Sequence, residues 1–346
     1  MARLGAHLSA AGGAWRAASA ARSCGCESLQ IFLRAPGRWA AAALAGPDAI
    51  RFRSEASSAG LEGACFAHAP YLLNLASADS SLRERSVAVL VDELQRAGTL
   101  GLAGVVLHPG SAGQGDREEA EARCREAVSE AVARAGPQAA ALLLEGTAGS
   151  GGQLGRTPAE LARLVEPSLR RSGARGLRPR VGLCLDSAHM WGAGYDLVGD
   201  GWERVLGELA ESWGKPLPDL LHGNDTSVER GSCRDRHAPP GEGVLGKRFF
   251  SQVVGDARCA DLPLVLEIPP GDDNVLVKKA LARLGQRRWN RNLACAIDQI
   301  HRTFNYQALY VGGGNSRRVT IALPRNVHIV ENVSGLLGGV KLWERD

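Results

Sequence analysis

The chain has 346 residues, of which 45% are hydrophobic and 23% are charged. This composition supports a large buried core and excludes an intrinsically disordered protein. Lys and Arg number 41 against 37 Asp and Glu, and the net charge of +4 permits a localised phosphate-binding face without implying one. Eight cysteines without a Cys-x-x-Cys pair exclude a zinc ribbon or a disulfide framework, so we expect buried thiols in a cytoplasmic protein. No stretch reaches the roughly 20 apolar residues that span a bilayer, so we expect neither export nor a membrane partner.

Short apolar runs alternate with longer amphipathic segments over about 270 residues, a pattern typical of repeated βα units. A (β/α)8 barrel of this kind has about 250 residues, so the length favours a barrel over an open doubly wound sheet. Helices are predicted at Leu82–Ala97, Arg117–Arg134, Pro158–Arg170, Trp202–Trp213 and Gly246–Val254. The eight predicted strands are Arg3–His7, Ser28–Phe32, Ala64–His68, Gly104–His108, Ala141–Glu145, Arg180–Asp186, Asp219–Asn224 and Leu264–Ile268.

Polar side chains lie at or near the ends of most predicted strands, where an apolar strand has no need of them. Successive members of the set are separated by about one βα unit, so we expect them at one mouth of the barrel, where barrel active sites lie. His7 ends the first strand and is expected to support this site rather than bind metal. The other members are His68, His108, Glu145, Asp186, His222 and Glu267.

Two short spacings add further metal-ligand residue types. Asp186 and His189 are three residues apart, and Asp235 and His237 are two apart. This gives five imidazoles and four carboxylates in all. Without cations the carboxylates would repel one another and the imidazoles would lack partners. Imidazoles without thiolates favour Zn²⁺, with Mn²⁺ or Fe²⁺ as alternatives at some positions. Nine donors exceed the roughly three protein ligands of one catalytic zinc, which indicates two or three ions.

Clustered zinc ions favour phosphoester hydrolysis, because they stabilise both the attacking and the leaving oxygen at phosphorus. Several nearby groups are suited to a phosphate backbone. They are Arg34, Arg38 and Arg236, together with the glycine-rich turns at 146–152 and 241–243. Nucleic acid is therefore a candidate substrate.

Eight segments occur in the order and spacing of the endonuclease IV family of apurinic/apyrimidinic endonucleases, and the resemblance covers residues 3 to about 270. It implies a (β/α)8 barrel with three zinc ions that cleaves double-stranded DNA on the 5′ side of abasic sites during base excision repair and leaves a 3′-hydroxyl. The segments are GAHLSAAGG, HAPYLLNLAS, LHPGS, LEGTAGSGGQLG, GLCLDSAHMWGAGYDL, HGND, DRHAPPGEG and LVLEIP.

The resemblance also implies roles for single residues. It implies one zinc held by His68, His108 and Glu145, a second by Asp186, His222, Glu267 and the bridging Glu145, and a third by His189, Asp235 and His237. Glu267 and Glu145 would be the catalytic carboxylates. Tyr71 and Leu72 would enter the DNA at the lesion, and Asn74 would contact it. Family members often carry Arg where this chain has Gly37, so we expect Arg38 or Arg34 to replace it and Arg236 to assist. We expect a monomer.

The segment from Trp289 to Trp343 resembles a different family, the C-terminal end of ROK-family sugar kinases. The phosphate-binding loop, the catalytic Asp and the cysteine-rich zinc motif of those kinases are absent from this chain. We therefore expect a fused or truncated remnant without kinase activity. The predicted domains are an endonuclease IV-like barrel at 1–285 and a partial kinase-like segment at 286–346.

Two alternatives stay open at this point. A metal-dependent sugar isomerase or epimerase of the same barrel architecture also gathers Glu, Asp and His at strand ends, but it would use fewer metals. None of the five lysines lies at a predicted strand end, which removes one common acid/base group of such enzymes. The second alternative is a DNA-lesion binder that has lost catalysis, and the complete ligand set argues against it.

Overall fold

The computed structural model describes residues 2–170 and 180–267, together with 290, 293–294, 297, 309–311 and 319–330. The chain divides into two compact units, Met1–Leu281 and Ala282–Asp346. The domain boundary expected between residues 285 and 286 lies outside the described residues and stays a prediction.

Eight parallel strands of the first unit form a closed barrel in the order β1-β10-β7-β6-β5-β4-β3-β2. Closure comes from β1, which pairs with β2 on one side and with β10 on the other. The predicted (β/α)8 barrel is confirmed, and every predicted barrel strand overlaps an observed one. The strands of this unit are β1 Arg3–His7, β2 Ser28–Phe32, β3 Cys65–His68, β4 Gly104–Leu107, β5 Ala141–Glu145, β6 Val181–Asp186, β7 Leu220–His222, β8 Asp225–Thr226, β9 His237–Ala238 and β10 Pro263–Leu266.

Helices follow the barrel strands, and several begin at a side chain that caps them. Asp79 accepts hydrogen bonds from the backbone N–H groups of Ser81 and Leu82, and Asp116 accepts one from Glu119. The α-helices are α1 Ala14–Cys24, α2 Gly46–Ser58, α3 Ser80–Leu100, α4 Arg117–Ala135, α5 Pro158–Arg163, α6 Pro167–Arg170, α7 Ser187–Ala193, α8 Gly201–Trp213 and α9 Gly246–Gly255, with short 3-10 helices at Ser150–Gly152 and Ala257–Cys259.

One predicted helix is wrong in its extent. The sequence predicted a single helix over Pro158–Arg170, but the structure has two short helices, α5 and α6. Pro167 explains the break, because proline has no N–H for the preceding turn and its ring disfavours helical geometry in the residue before it. Pro158 is tolerated since it lies in the first turn of α5, where no N–H partner is needed.

The alternation of side chains along each strand positions the polar residues of the barrel mouth. A layer of buried apolar residues crosses the barrel interior, one residue from each of six strands. Each member lies two positions before a polar strand-end residue, so both point to the same face of the strand. The apolar layer therefore forms the floor beneath those polar side chains. Its members are Phe66, Val106, Leu143, Cys184, Leu220 and Val265.

A two-stranded antiparallel hairpin, β8 with β9, stands beside the mouth of the barrel. The fully buried Asp225 organises the chain that follows it, because its carboxylate accepts backbone N–H groups at distances of 2.8–3.2 Å. The donors are Thr226, Gly241, Gly243, Leu245 and Gly246. The hairpin fixes the loop that carries Asp235 and His237.

The second unit contains a parallel pair of strands, β11 Leu309–Val311 and β12 Val327–Ile329. Most of the segment that resembles ROK kinases lies outside the described residues, and this resemblance stays a prediction. In the part of the chain that the structure describes, no helix is both long and apolar enough to cross a membrane.

Candidate metal centre

Glu145 lies at the centre of the candidate site, fully buried at the end of β5. Its Oε2 atom is 3.0 Å from Nε2 of His68 and 3.0 Å from Nε2 of His108. These ligand atoms are close enough together to hold one metal ion. The structure thus brings together the three residues that the family resemblance implied for the first zinc.

A second donor group shares Glu145. Its other oxygen, Oε1, is 3.0 Å from Nδ1 of His222, which is also 3.2 Å from Oε2 of Glu267 and 3.8 Å from Oδ2 of Asp186. These four residues also form a set of ligand atoms compact enough for one ion. The second predicted ligand set therefore assembles from the ends of three strands and the residue after β10.

The third group lies toward the hairpin. Nε2 of His189 is 3.2 Å from Oδ2 of Asp235, and Nε2 of His237 is 3.1 Å from Oδ1 of the same carboxylate. His237 is also 3.6 Å from Asp186, which joins the two imidazoles in one compact donor set. The sequence assigned Asp186 to the second group alone, whereas the structure makes it common to both. Asp235 is 49% exposed and faces the open side of the site.

The hydrogen bonds of the imidazoles leave nitrogen atoms free for metal. Nδ1 of His68 donates to the carbonyl of Ala69 at 2.7 Å, and Nδ1 of His189 donates to that of Gly146 at 2.8 Å. Because a carbonyl only accepts, Nδ1 carries a proton in both rings, so Nε2 is the nitrogen of each neutral imidazole that can bind a metal. Nε2 of His108 and of His237 are buried and make no hydrogen bond, although they lie 3.0 and 3.1 Å from carboxylate oxygens. Such nitrogens fit metal ligands.

The carboxylates and imidazoles of the site shift one another's pKa values. Burial alone would raise the pKa of Glu145, but His108 and His222 outweigh it and hold the pKa well below its usual range. Burial also opposes ionisation of Glu267, and the imidazole of His222 again dominates and lowers the pKa. Conversely, burial disfavours the imidazolium of His237, yet Asp186 and Asp235 raise the pKa to about 9. Without metal, the raised pKa values of His189, His222 and His237 therefore let these imidazoles carry protons that balance the carboxylates.

Two buried amides hold the ligands in place, and the sequence analysis missed both. Gln30 donates to Oε1 of Glu267 at 2.8 Å and accepts from Nε2 of His222 at 2.9 Å. Asn224 donates to Oδ2 of Asp186 at 2.5 Å, while its own oxygen accepts the N–H of Glu267 at 2.8 Å. Gln30 was detectable as a polar residue within the apolar run Ser28–Phe32. The signal for the other amide was its position in the segment HGND.

His7 lies beside these amides, as expected of a residue that supports the site. Its Nδ1 is 3.0 Å from Nε2 of Gln30 and 3.5 Å from Oε1 of Glu267. Burial lowers its pKa and outweighs the nearby carboxylate, so the ring is neutral. Cys184 lies in the floor near Glu145 and His222, and burial raises its pKa to about 12. It therefore remains a thiol at neutral pH, which favours a packing role.

Tyr71 projects from the loop after β3 directly beside the donor groups. Its side chain is 60% exposed although the ring stacks on His108, with centroids 6.1 Å apart, and meets the edge of His68 at 5.3 Å. Its backbone N–H donates to the carbonyl of Pro36 at 3.2 Å, which ties this loop to the one after β2. Leu72 follows it in a half-buried position. Tyr71 is thus exposed beside the donor groups, and insertion of both residues into DNA stays a prediction.

The remaining predicted DNA contacts differ in their surroundings. Arg38 and Arg236 are exposed on the loops around the mouth. Asn74, by contrast, uses its side chain within the protein, accepting from the N–H of Ser111 at 3.0 Å and donating to its carbonyl at 3.1 Å. Its DNA contact stays a prediction, while the structure gives it a part in joining two loops.

Arg34 does not serve as a phosphate-binding group, contrary to the sequence interpretation. Its guanidinium is buried and donates to Glu93 at 2.6 Å and to Asp92 at 2.5 Å, both on α3. The charge is therefore neutralised inside the protein and anchors the loop after β2. Of the two arginines considered as replacements at Gly37, only Arg38 is exposed.

The glycine-rich turns pack against neighbouring loops. A Cβ at Gly152 would lie 2.7 Å from the carbonyl oxygen of Gly113, and one at Gly243 would lie 2.2 Å from that of Thr226. Such distances are too short for any larger residue. The glycines are thus required by the close approach of the site loops, and phosphate binding by their backbones stays a prediction.

The fold and the donor groups define a metal-binding barrel, and comparison with known proteins specifies its class. A family model described as "Xylose isomerase-like TIM barrel" matches residues 18–287. A probable endonuclease 4 of Oleidesulfovibrio alaskensis is 40% identical over 286 residues, covering 81% of this chain and 94% of the relative. One of Chloroflexus aurantiacus is 35% identical over 285 residues, covering 82% and 97%. The chain belongs to the endonuclease IV family, which confirms the resemblance seen in the sequence.

Solved structures agree with this assignment. The crystal structure of endonuclease IV from Thermus thermophilus is similar to this chain with a TM-score of 0.69 and 34% identity, covering 82% of this chain and 98% of that one. A D-tagatose 3-epimerase-like protein is similar with a TM-score of 0.58 but only 18% identity. The second similarity shows a common barrel fold and no more.

Proposed function

We propose that the protein is a zinc-dependent apurinic/apyrimidinic endonuclease. It would hydrolyse the phosphodiester on the 5′ side of an abasic site in double-stranded DNA and leave a 3′-hydroxyl, as in base excision repair. The observation that carries the proposal is the set of three overlapping donor groups joined by Glu145 and Asp186 at one mouth of the barrel. Relatives described as endonuclease 4 support the same reaction.

The donor chemistry fits zinc. The ligands are imidazole nitrogens and carboxylate oxygens, and two of the nitrogens are buried without a hydrogen-bond partner. Three ions would be held by the three groups described above, with Glu145 common to the first and second. Bound zinc supplies Lewis acidity toward phosphate oxygens and lowers the pKa of water to about 7.

The protein groups have distinct tasks in this proposal. Gln30 and Asn224 both donate hydrogen bonds to the carboxylate of Glu267 and hold it in one orientation. In this orientation the carboxylate can orient or deprotonate the attacking water. Glu145 joins the first and second groups, because one of its oxygens contacts His68 and the other contacts His222. Since every candidate ligand comes from one chain, a monomer suffices.

Tyr71 and Leu72 would recognise the lesion. An abasic site lacks a base to stack, so inserting a side chain and displacing the sugar costs less there than in intact DNA. Tyr71 is exposed yet supported by His108 and by the backbone of the loop after β2. A supported aromatic ring next to the metal groups suits this task, because insertion would bring the phosphate beside the lesion to the donor groups.

The experiment that tests the function uses a 5′-labelled duplex with one tetrahydrofuran abasic analogue and an otherwise identical intact duplex. The zinc-loaded protein is expected to cut only the abasic strand, 5′ to the lesion, and a DNA polymerase is expected to extend the product from its 3′-hydroxyl. Failure to cut the abasic duplex, together with turnover of a ketose in a parallel assay, would replace the nuclease with the isomerase alternative.

A further inference from the structure

Gln30 links two predicted ligands of the second donor group from within the barrel wall. It lies on β2, which supplies no candidate metal ligand among the described residues, and its side chain is fully buried. Its oxygen accepts from Nε2 of His222 at 2.9 Å, and its nitrogen donates to Oε1 of Glu267 at 2.8 Å. One amide therefore contacts both ligands on the sides that face away from the other donors.

The orientation of this amide follows from its neighbours. The carboxylate of Glu267 only accepts, so the NH₂ group of Gln30 must face it. The second proton of that NH₂ group points to Nδ1 of His7 at 3.0 Å, and this nitrogen therefore accepts the hydrogen bond. A reversed amide would set its oxygen against the carboxylate of Glu267. His7 and Glu267 together therefore fix which end of the amide faces His222.

The fixed orientation of the amide determines which ring nitrogen of a neutral His222 carries the proton. Because the oxygen of Gln30 accepts a hydrogen bond from Nε2–H, the lone pair of a neutral His222 is on Nδ1, the atom that lies 3.0 Å from Glu145 and 3.2 Å from Glu267. His68 and His189 have the opposite arrangement, because Nδ1 of each ring carries the proton and donates it in a hydrogen bond to a carbonyl. His222 thus needs a separate acceptor of its own.

We propose that Gln30 is a positioning residue for the second zinc, setting the tautomer of His222 and the orientation of Glu267. The inference rests on the proposed zinc-dependent function and assigns the support of one donor group to a residue that binds no metal. Groups that orient metal ligands typically contribute 10–100-fold in metal affinity. Gln30 supports two ligands of the same ion, so its removal is expected to weaken one zinc and leave the ions that need neither ligand.

The test compares full-length zinc-loaded wild type with Gln30→Met, which keeps the length of the side chain and removes both hydrogen bonds. Each protein is dialysed against a series of zinc–chelator buffers and its zinc content is measured. Gln30→Met is expected to lose one zinc per chain at about 10–100-fold higher free zinc than wild type. Gln95→Met, which changes a glutamine on α3 with a contact to Ala135, is the matched control and is expected to keep wild-type retention.

A spectroscopic measurement separates positioning from general destabilisation. In ¹⁵N-labelled wild type, the Nε2–H of His222 should give an exchange-protected imidazole resonance, which Gln30→Met should lose and Gln30→Glu should keep because an acceptor remains. Zinc retention and a protected resonance unchanged in Gln30→Met would overturn the proposal. If that variant does not fold, unchanged zinc retention by Gln30→Glu, which removes the donor to Glu267, would overturn it as well. Neither measurement involves DNA cleavage, so a failure of the proposed nuclease function would be detected separately, in the cleavage assay.

Discussion

Replacing Glu145 by glutamine keeps the shape of the side chain and removes the negative charge that two donor groups have in common. Its two oxygens lie 3.0 Å from Nε2 of His68 and from Nδ1 of His222. Unit charges 4 Å apart interact by about 4 kcal/mol at an effective dielectric constant of about 20. Since about 1.4 kcal/mol is a tenfold change in affinity, and the smaller cost of desolvating an amide offsets part of the loss, zinc at these two groups should bind about 10²–10³-fold more weakly.

The assay measures zinc per chain after dialysis against a fixed chelator buffer, together with cleavage of the abasic duplex. Glu93→Gln is the control, because Glu93 is also a fully buried carboxylate but pairs with Arg34. The control should lose about 1.5–3 kcal/mol of stability, since Arg34 keeps Asp92 as a partner, and should retain its zinc. Wild-type zinc content in Glu145→Gln, or equal zinc loss in both variants, would show that Glu145 is not a ligand shared by two zinc ions.

The site geometry predicts the effects of two substitutions, a change of pH and a truncation. Glu267→Gln should lower the rate of abasic cleavage by about 10²-fold or more while duplex binding persists in gel-shift assays, because the carboxylate proposed to orient the attacking water is lost. Tyr71→Ala should weaken binding of abasic over intact duplex by about tenfold without changing zinc content, since only the ring proposed to enter the DNA is removed. In the metal-free protein the pKa of His237 is raised to about 9, so its stabilising contribution is complete below about pH 6.5 and is lost as the pH rises through about 9; the melting temperature should fall over that interval. Truncation after Gly285 should leave cleavage per folded molecule intact, because all nine candidate ligands precede the cut, and the full-length chain should not phosphorylate glucose.

Each of these predictions has an outcome that contradicts it. Near-normal turnover of Glu267→Gln would remove this carboxylate from the catalytic step. Equal preference for abasic DNA in Tyr71→Ala would move lesion recognition to another residue. A melting temperature of the metal-free protein that rises from pH 6.5 to 9 would show that His237 is not stabilised as an imidazolium. Loss of cleavage on truncation, with the barrel still folded by circular dichroism, would show that residues after Gly285 contribute to the nuclease.

The barrel was predictable because its signals are local and repeated. Apolar runs with a polar end, such as Ala141–Glu145, recur at intervals of one βα unit, and parallel strands must present these ends at one mouth. The same period-two alternation aligned Leu143 with Glu145, which made the inward direction of the ligand readable from the sequence. The break at Pro167 was also legible, but the apolar pattern on both sides of it favoured one continuous helix.

The supporting contacts were less predictable because they depend on distances between strands. Nothing in the run Ser28–Phe32 shows that Gln30 meets His222, which is 192 residues away. Arg34 was interpreted as a DNA contact from its position in a loop, and only the packing against α3 reveals its partner Glu93. The family resemblance assigned Asp186 to one donor group, and its separation of 3.6 Å from His237 could not be predicted because it depends on the hairpin.

If several zinc ions share ligands at a nuclease site, zinc content and cleavage should change together in a single preparation of the protein. The zinc content of purified full-length protein is determined by mass spectrometry of the metal, and the same sample is assayed on the abasic duplex before and after removal of zinc. We predict three zinc ions per chain, cleavage 5′ to the lesion, and loss of cleavage with the metal. A fully folded protein that cuts with one zinc or none, or that holds three and does not cut, would contradict this claim.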